Sequence, residues 1–247
     1  MIIIKSKYDI EQIEKASAVW KHVRDDFFNF VSAGKSLKEL DLRAKNIIEK
    51  HNCKCAFFDY NGFPGNICIS VNDVIIHGIP TDYVLKDKDI VTFDVGVDYN
   101  GYICDAAFTI VIGNNIDAQN INNICYQALY EGIKQAIPNN YVGDISHAIE
   151  KYVTDNGYFV IDDFGGHGCG KKLHEEPMIL NYGEPKTGSI LRPGMVICIE
   201  PMILTENKSY YIDKNDKWSV IAKNHKLTCH WEHMILITDN GNKILTE

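Results

Sequence analysis

Four acidic residues interrupt runs of apolar sequence: Asp94 within residues 90–97, Asp105 within 102–112, Glu200 within 195–204 and Glu232 within 230–237. Each run has the β-branched and aromatic content of a buried strand, where aspartate is depleted and unpaired acids are almost never fully buried. Four ionised, unpaired carboxylates in one core would cost more than the stability of a whole domain. The only arginines are Arg24, Arg43 and Arg192, and none lies in those four runs. Two divalent cations are the economical compensation, setting four positive charges against four negative ones. The bland reading gives each acid a solvent-facing strand position, but the apolar neighbours on both sides of all four oppose it.

His167 completes the candidate set, in Gly165-Gly166-His167-Gly168-Cys169-Gly170. This stretch is expected to form a glycine-rich turn whose backbone approaches a ligand closely. One imidazole among carboxylates suits Co, Mn, Fe or Zn better than Ca or Mg. The same stretch nearly matches a phosphate-binding loop, but Lys172 stands where that motif needs Ser or Thr. A dinucleotide fingerprint also fails, because Lys171 occupies its third glycine position.

The order of elements constrains the architecture. Apolar spacing predicts a helix over 9–31 and a second after Ser36, a good N-cap. Strands are expected at 56–60, 67–71, 74–77, 90–99 and 102–112, with Asn100-Gly101 as a hairpin turn between the last two. The second part repeats this order: helices over 121–137 and 142–156, then strands at 158–161, 195–204, 219–223, 231–238 and 243–245. The expected class is α+β, built from two similar halves of about 1–112 and 113–247. No Pro/Ser-rich linker separates them, so 1–247 is expected to be a single catalytic domain.

Bulk properties exclude several classes. A net charge of −8 over 247 residues argues against a dedicated nucleic-acid binder. No apolar run approaches the ~20 residues of a membrane span, and the opening Met1-Ile2-Ile3-Ile4-Lys5 is too short for a signal peptide. The eight cysteines include no C-x-x-C pair, and reduced thiols in the cytoplasm are expected.

The ordered set Asp94, Asp105, His167, Glu200 and Glu232 resembles the metal ligands of the type I methionine aminopeptidases. The flanks agree over nearly the whole chain, through Ser70-Val71-Asn72-Asp73-Val74-Ile75-Ile76-His77-Gly78-Ile79-Pro80, Leu173-His174-Glu175-Glu176-Pro177, Leu191-Arg192-Pro193-Gly194 and Ile199-Glu200-Pro201-Met202. The resemblance implies the pita-bread fold, with two αβ halves related by a pseudo-twofold. It implies removal of the initiator methionine from nascent chains with a small second residue, by a water or hydroxide shared between two metals. It makes Asp94 a ligand of one metal, His167 and Glu200 ligands of the other, and Asp105 and Glu232 bridges. Glu200 would be the base, His77 and His174 would contact substrate, and Tyr60, Phe63, Cys68 and Trp218 would line the methionine pocket. A monomer is implied, with ribosome contact left open.

This sequence departs from the family pattern at Leu173, where an aromatic residue is usual, at Phe57, where a small residue or cysteine is frequent, and at Cys104, where glycine is usual. Strand alternation turns Cys104 away from Asp105 and puts Cys198 on the face of Glu200, making Cys198 the expected oxidation-sensitive neighbour. Two other readings are a prolidase or aminopeptidase P, which typically carries an extra N-terminal domain, and a non-catalytic peptide binder, which would usually have lost ligands.

Overall fold

The computed structural model describes all 247 residues. Ser6 caps the first helix, α1 (Lys7–Phe30), accepting from the Asp9 amide at 3.2 Å, while Asp9 accepts from the Ser6 amide at 2.9 Å. Its buried stripe of Ile13, Ala16, Trp20, Val23 and Phe27 has helical spacing and faces the core. Ser36 caps α2 (Leu37–Lys50), as the sequence predicts.

The first half then supplies β1 (Lys54–Cys55), β2 (Cys68–Val71), β3 (Val74–Ile76), β4 (Ile90–Tyr99) and β5 (Tyr102–Val111). Asn100 (φ 54°) and Gly101 (φ 84°) both take the left-handed conformation of a type I′ turn, which sets Tyr99 opposite Tyr102. In that register Gly96 faces Asp105 and Cys68 faces Asp94. Residues two apart on a strand share a face, so Asp94 and Asp105 project from the same side of the sheet. α1 covers the other side: Phe27 packs edge-on to Phe93, and the Trp20 indole donates to the Ala106 carbonyl at 2.9 Å.

The second half supplies α3 (Ile116–Gln135), α4 (Val142–Asp155), β6 (Phe159–Val160), β7 (Gly165–Gly168), β8 (Glu175–Leu180), β9 (Val196–Ile199), β10 (Met202–Leu204), β11 (Tyr210–Ile212), β12 (Val220–Ala222), β13 (Thr228–His230), β14 (His233–Thr238) and β15 (Gly241–Ile244). One five-stranded sheet runs β15-β14-β9-β7-β8, one three-stranded sheet β13-β10-β6 and another β11-β12-β3. A buried apolar cluster of 52 residues draws on both halves.

Several expectations change. No strand forms over the expected 56–60: β1 ends at Cys55, and a 3-10 turn at Tyr60–Gly62 follows, with Asp59 and Asn61 in left-handed conformations. Helix α3 begins at Ile116, five residues before the expected 121, because Asn115 caps it ahead of the first apolar position. The continuous strand expected over 195–204 is divided at Glu200-Pro201, where proline has no N–H for the ladder. The strand expected from 231 starts at His233, after a second break at Trp231-Glu232.

The two breaks face each other. β9 pairs with β14 (Ile199 opposite His233), whereas β10 pairs with β13 (Met202 opposite His230). Both chains therefore change sheets together, at Glu200 and at Glu232. Glu232 also exchanges backbone hydrogen bonds with Ala107 of β5, its amide donating at 3.0 Å and its carbonyl accepting at 3.4 Å. That exchange joins the second half to the strand carrying Asp105.

Candidate metal centre and pocket

The expected turn around His167 is instead strand β7, held between β8 and β9. Its glycines serve strand packing. A side chain on Gly166 would collide with the Cys198 carbonyl, and one on Gly168 with the Glu176 carbonyl. This close approach delivers His167 to the carboxylates on β5 and at the sheet breaks.

The donor atoms of Asp105, His167, Glu232 and Cys198 all lie within 4.8 Å of one another. His167 Nε2 stands 3.7 Å from Asp105 Oδ2 and 3.6 Å from Glu200 Oε1. Two atoms bound to one cation at about 2.1 Å each can be at most about 4.2 Å apart, so these spacings suit shared ligation. His167 Nδ1 lies 2.9 Å from the Gly168 carbonyl, the pairing that puts the proton on Nδ1 and leaves the Nε2 lone pair facing the acids.

Asp105, Glu200 and Glu232 are 4%, 9% and 2% exposed, too little for solvent to neutralise them. Asp94 Oδ1, Asp105 Oδ1 and Glu232 Oε1 are buried without a hydrogen-bond partner. Burial drives the Asp105, Glu200 and Glu232 carboxyls well above the usual carboxylate range, and the neighbouring acids add to this. Burial also lifts Asp94 to about 7. Burial, then nearby His174, lowers His167 to about 4, which keeps its ring neutral. Orphaned acid oxygens around a neutral imidazole form a donor set that divalent cations fit.

All five expected ligands and all six expected substrate contacts line one cavity of about 630 Å³. His77 follows β3 with φ 59°, a left-handed conformation uncommon for a residue with a side chain. Gly78 fixes that turn: its carbonyl accepts from the Ile69 amide at 2.8 Å, and a Cβ there would strike the Ile69 carbonyl. His77 packs edge-on to Phe164 and Trp218, and burial, then His174, lowers its imidazole to about 4. His174 lies against His167, with ring centres 4.4 Å apart, and its Nδ1 is 2.9 Å from the Tyr60 hydroxyl.

Beside the acids, Phe57, Phe63, Cys68 and Leu173 form a separate buried apolar cluster, with Trp218 packed on its edge. The two departures from the family pattern, Phe57 and Leu173, thus share one pocket wall. Cys104 is fully buried on the α1 side, where it meets Ser17. Cys198 does adjoin the expected ligands, but burial, then a hydrogen bond with Cys169, pushes its thiol well above the usual range and keeps it neutral, which opposes the reactivity expected of it.

No sequence motif marks His230. It is 1% exposed, and its Nε2 lies 3.6 Å from Glu200 Oε2. The same two-residue spacing that singles out Cys198 ahead of Glu200 singles out His230 ahead of Glu232.

The profile of metallopeptidase family M24 matches residues 11–239. The methionine aminopeptidase of Mycoplasma genitalium is 44% identical, covering 100% of both chains. The crystal structure of methionine aminopeptidase from Rickettsia prowazekii superposes with a TM-score of 0.98 at 35% identity, covering 100% of both chains. Prolidase from Pyrococcus furiosus gives a TM-score of 0.81 at 27% identity, with 99% of this chain covering 65% of that one. These likenesses bear out the α+β pita-bread fold and the use of divalent metal. The chain belongs to metallopeptidase family M24, among its type I methionine aminopeptidases.

Proposed function

We propose that the protein is a metal-dependent aminopeptidase that removes the initiator methionine from nascent chains with a small second residue. The carrying observation is the buried set of Asp94, Asp105, His167, Glu200 and Glu232 opening directly onto an apolar pocket. Asp94 would hold one cation, His167 and Glu200 the other, and Asp105 and Glu232 would bridge them. Two cations held there, of Co, Mn, Fe or Zn, would supply acidified water and a seat for the substrate amino group.

The chain's own residues do the rest. The methionine side chain enters between Phe63, Cys68 and Trp218, with Tyr60 at the rim. Glu200 accepts the proton of the attacking water and returns it to the leaving amine. A Tyr60 hydroxyl donating to His174 Nδ1 would leave the proton of that neutral ring on Nε2, free to donate to the developing oxyanion. His77, neutral through burial, is the second donor. One such donor is worth about 10²–10³ in kcat.

No helix is long and apolar enough to cross a membrane. We read the protein as a cytoplasmic monomer, a single catalytic domain over 1–247, meeting its substrates as they leave the ribosome. The test is hydrolysis of Met-X-Ser peptides, with X running from Gly to Trp, after chelation and restoration with each cation. Cleavage confined to small X supports this reading. Preference for Xaa-Pro bonds would move it to the prolidase reading, and failure of every cation to restore activity would remove the two-metal centre.

A further inference from the structure

His230 lies at the end of β13, beneath the centre and outside the cavity lining. Its backbone is committed: the carbonyl accepts the Thr109 hydroxyl at 2.6 Å, and Met202 pairs with it across the ladder. Its ring is not. Nδ1 and Nε2 are both buried without a hydrogen-bond partner, a rare condition for a polar group in a core. Its nearest acid is Glu200, with Nε2 3.6 Å from Oε2, and no other acid comes within the 4.0 Å of an ion pair.

Glu200 shows the other side of this arrangement. Its backbone carbonyl is anchored by the Asn181 amide at 3.0 Å. Its carboxylate is placed between two imidazoles: Oε1 is 3.6 Å from His167 Nε2, and Oε2 is 3.6 Å from His230 Nε2. His167 also reaches Asp105, at 3.7 Å, as a ligand sharing a cation with two acids would. His230 reaches one acid alone.

We propose that His230 is a positioning residue for Glu200: its Nε2–H donates to Oε2, fixing the plane of the carboxylate and presenting Oε1 to the cation shared with His167. The remaining gap exceeds a hydrogen bond by about 0.4 Å, within reach of a small rotation of the Glu200 side chain. Partners that orient a ligand in this way typically govern metal affinity or activity by about 10–100-fold. The inference rests on the metallopeptidase reading for its catalytic consequence but not for its effect on metal affinity.

The test compares His230→Gln, whose amide can reach Glu200, with His230→Met, whose flexible apolar chain fills the site without donating. Mn²⁺ binding to the metal-free full chain is followed by titration calorimetry, and kcat and KM are measured on Met-Ala-Ser. His230→Met should weaken the tighter Mn²⁺ site and lower kcat, each by about 10–100-fold, with KM within about twofold. His230→Gln should stay within about threefold of wild type. If His230→Met does not fold, His230→Asn, whose amide is too short to reach, takes its place. Wild-type Mn²⁺ affinity in the non-donating variant overturns the proposal, as does a folded His230→Gln impaired as badly as His230→Met. Wild-type protein that binds Mn²⁺ but leaves methionyl peptides intact overturns the peptidase reading alone, and the isotherms still decide the role of His230.

Discussion

Lys5→Met tests how the loop bearing His174 is held. Lys5 Nζ lies 2.6 Å from Glu175 Oε2, and both side chains are 1% exposed. The other carboxylate oxygen accepts the Lys171 and Lys172 amides at 2.7 and 2.9 Å, so Glu175 anchors the turn from β7 into β8. Removing one partner of a buried pair typically costs about 3–5 kcal/mol, because the other charge is stranded. The two amide donors survive here and continue to stabilise the carboxylate, which puts the expected loss at the lower end, about 3 kcal/mol. At roughly 2–4 °C per kcal/mol for a chain of this size, Tm should fall by about 6–12 °C. Adding Glu175→Gln removes the stranded charge, so the double variant should be more stable than Lys5→Met alone. The assay is urea and thermal unfolding of metal-free protein at one pH, with KM for Met-Ala-Ser measured on the reloaded enzyme. Slack at His174 should raise KM. A Lys5→Met loss below about 1 kcal/mol, or a double variant no better than the single, would refute this account of the loop.

Two further outcomes follow from the centre. Glu200→Gln keeps the shape of the side chain but removes its basic form, and should lower kcat at least about 100-fold on Met-Ala peptides; activity above one-tenth of wild type, roughly a tenfold loss, is too small an effect for the base. The metal-free protein should lose stability as pH rises through 7, read as a falling urea midpoint in chelator. Asp94 is raised to about 7, and Asp105, Glu200 and Glu232 stand well above normal, so the folded state binds protons more tightly than the unfolded one. Stability from those protons is fully present below the unfolded value near 4 and is lost as pH passes the folded values. Buried His77, His167 and His230, all lowered, oppose this only below about 6.5, where the unfolded histidines take up protons. A midpoint in chelator that is flat or rising above pH 7 would contradict the compensation of these acids by cations.

What the sequence discloses depends on whether a signal is local. Ser36 and Asn100-Gly101 act through their own backbone, and the helix cap and hairpin lie where they predict. The misplaced acids are equally legible, because burial of a carboxylate needs compensation whatever the fold. The glycines around His167 are ambiguous: a glycine needed for a turn and one needed because another strand passes close look identical until Cys198 and Glu176 are in place. Strands β8, β11 and β13 are short or polar, and β8 opens on Glu175-Glu176-Pro177, so none has a periodicity to read.

The sheet breaks carry the deepest lesson about the site. A carboxylate in mid-strand has its backbone tied to the ladder and its direction set by alternation, as Asp94 and Asp105 have. Glu200 and Glu232 stand instead where two paired chains pass together from one sheet to another. There the alternation of one sheet no longer fixes the next, so acids from separate strands can converge on a point that a single pleated surface could not supply. Pro201, by withholding an N–H, forces one break, and the Ala107–Glu232 exchange holds the other against the first half. The two ends of the donor set thus come from opposite halves of the chain, and the centre exists only when the halves are docked. A cation held by these residues would therefore stabilise the docked arrangement itself, by mass action on the folded state.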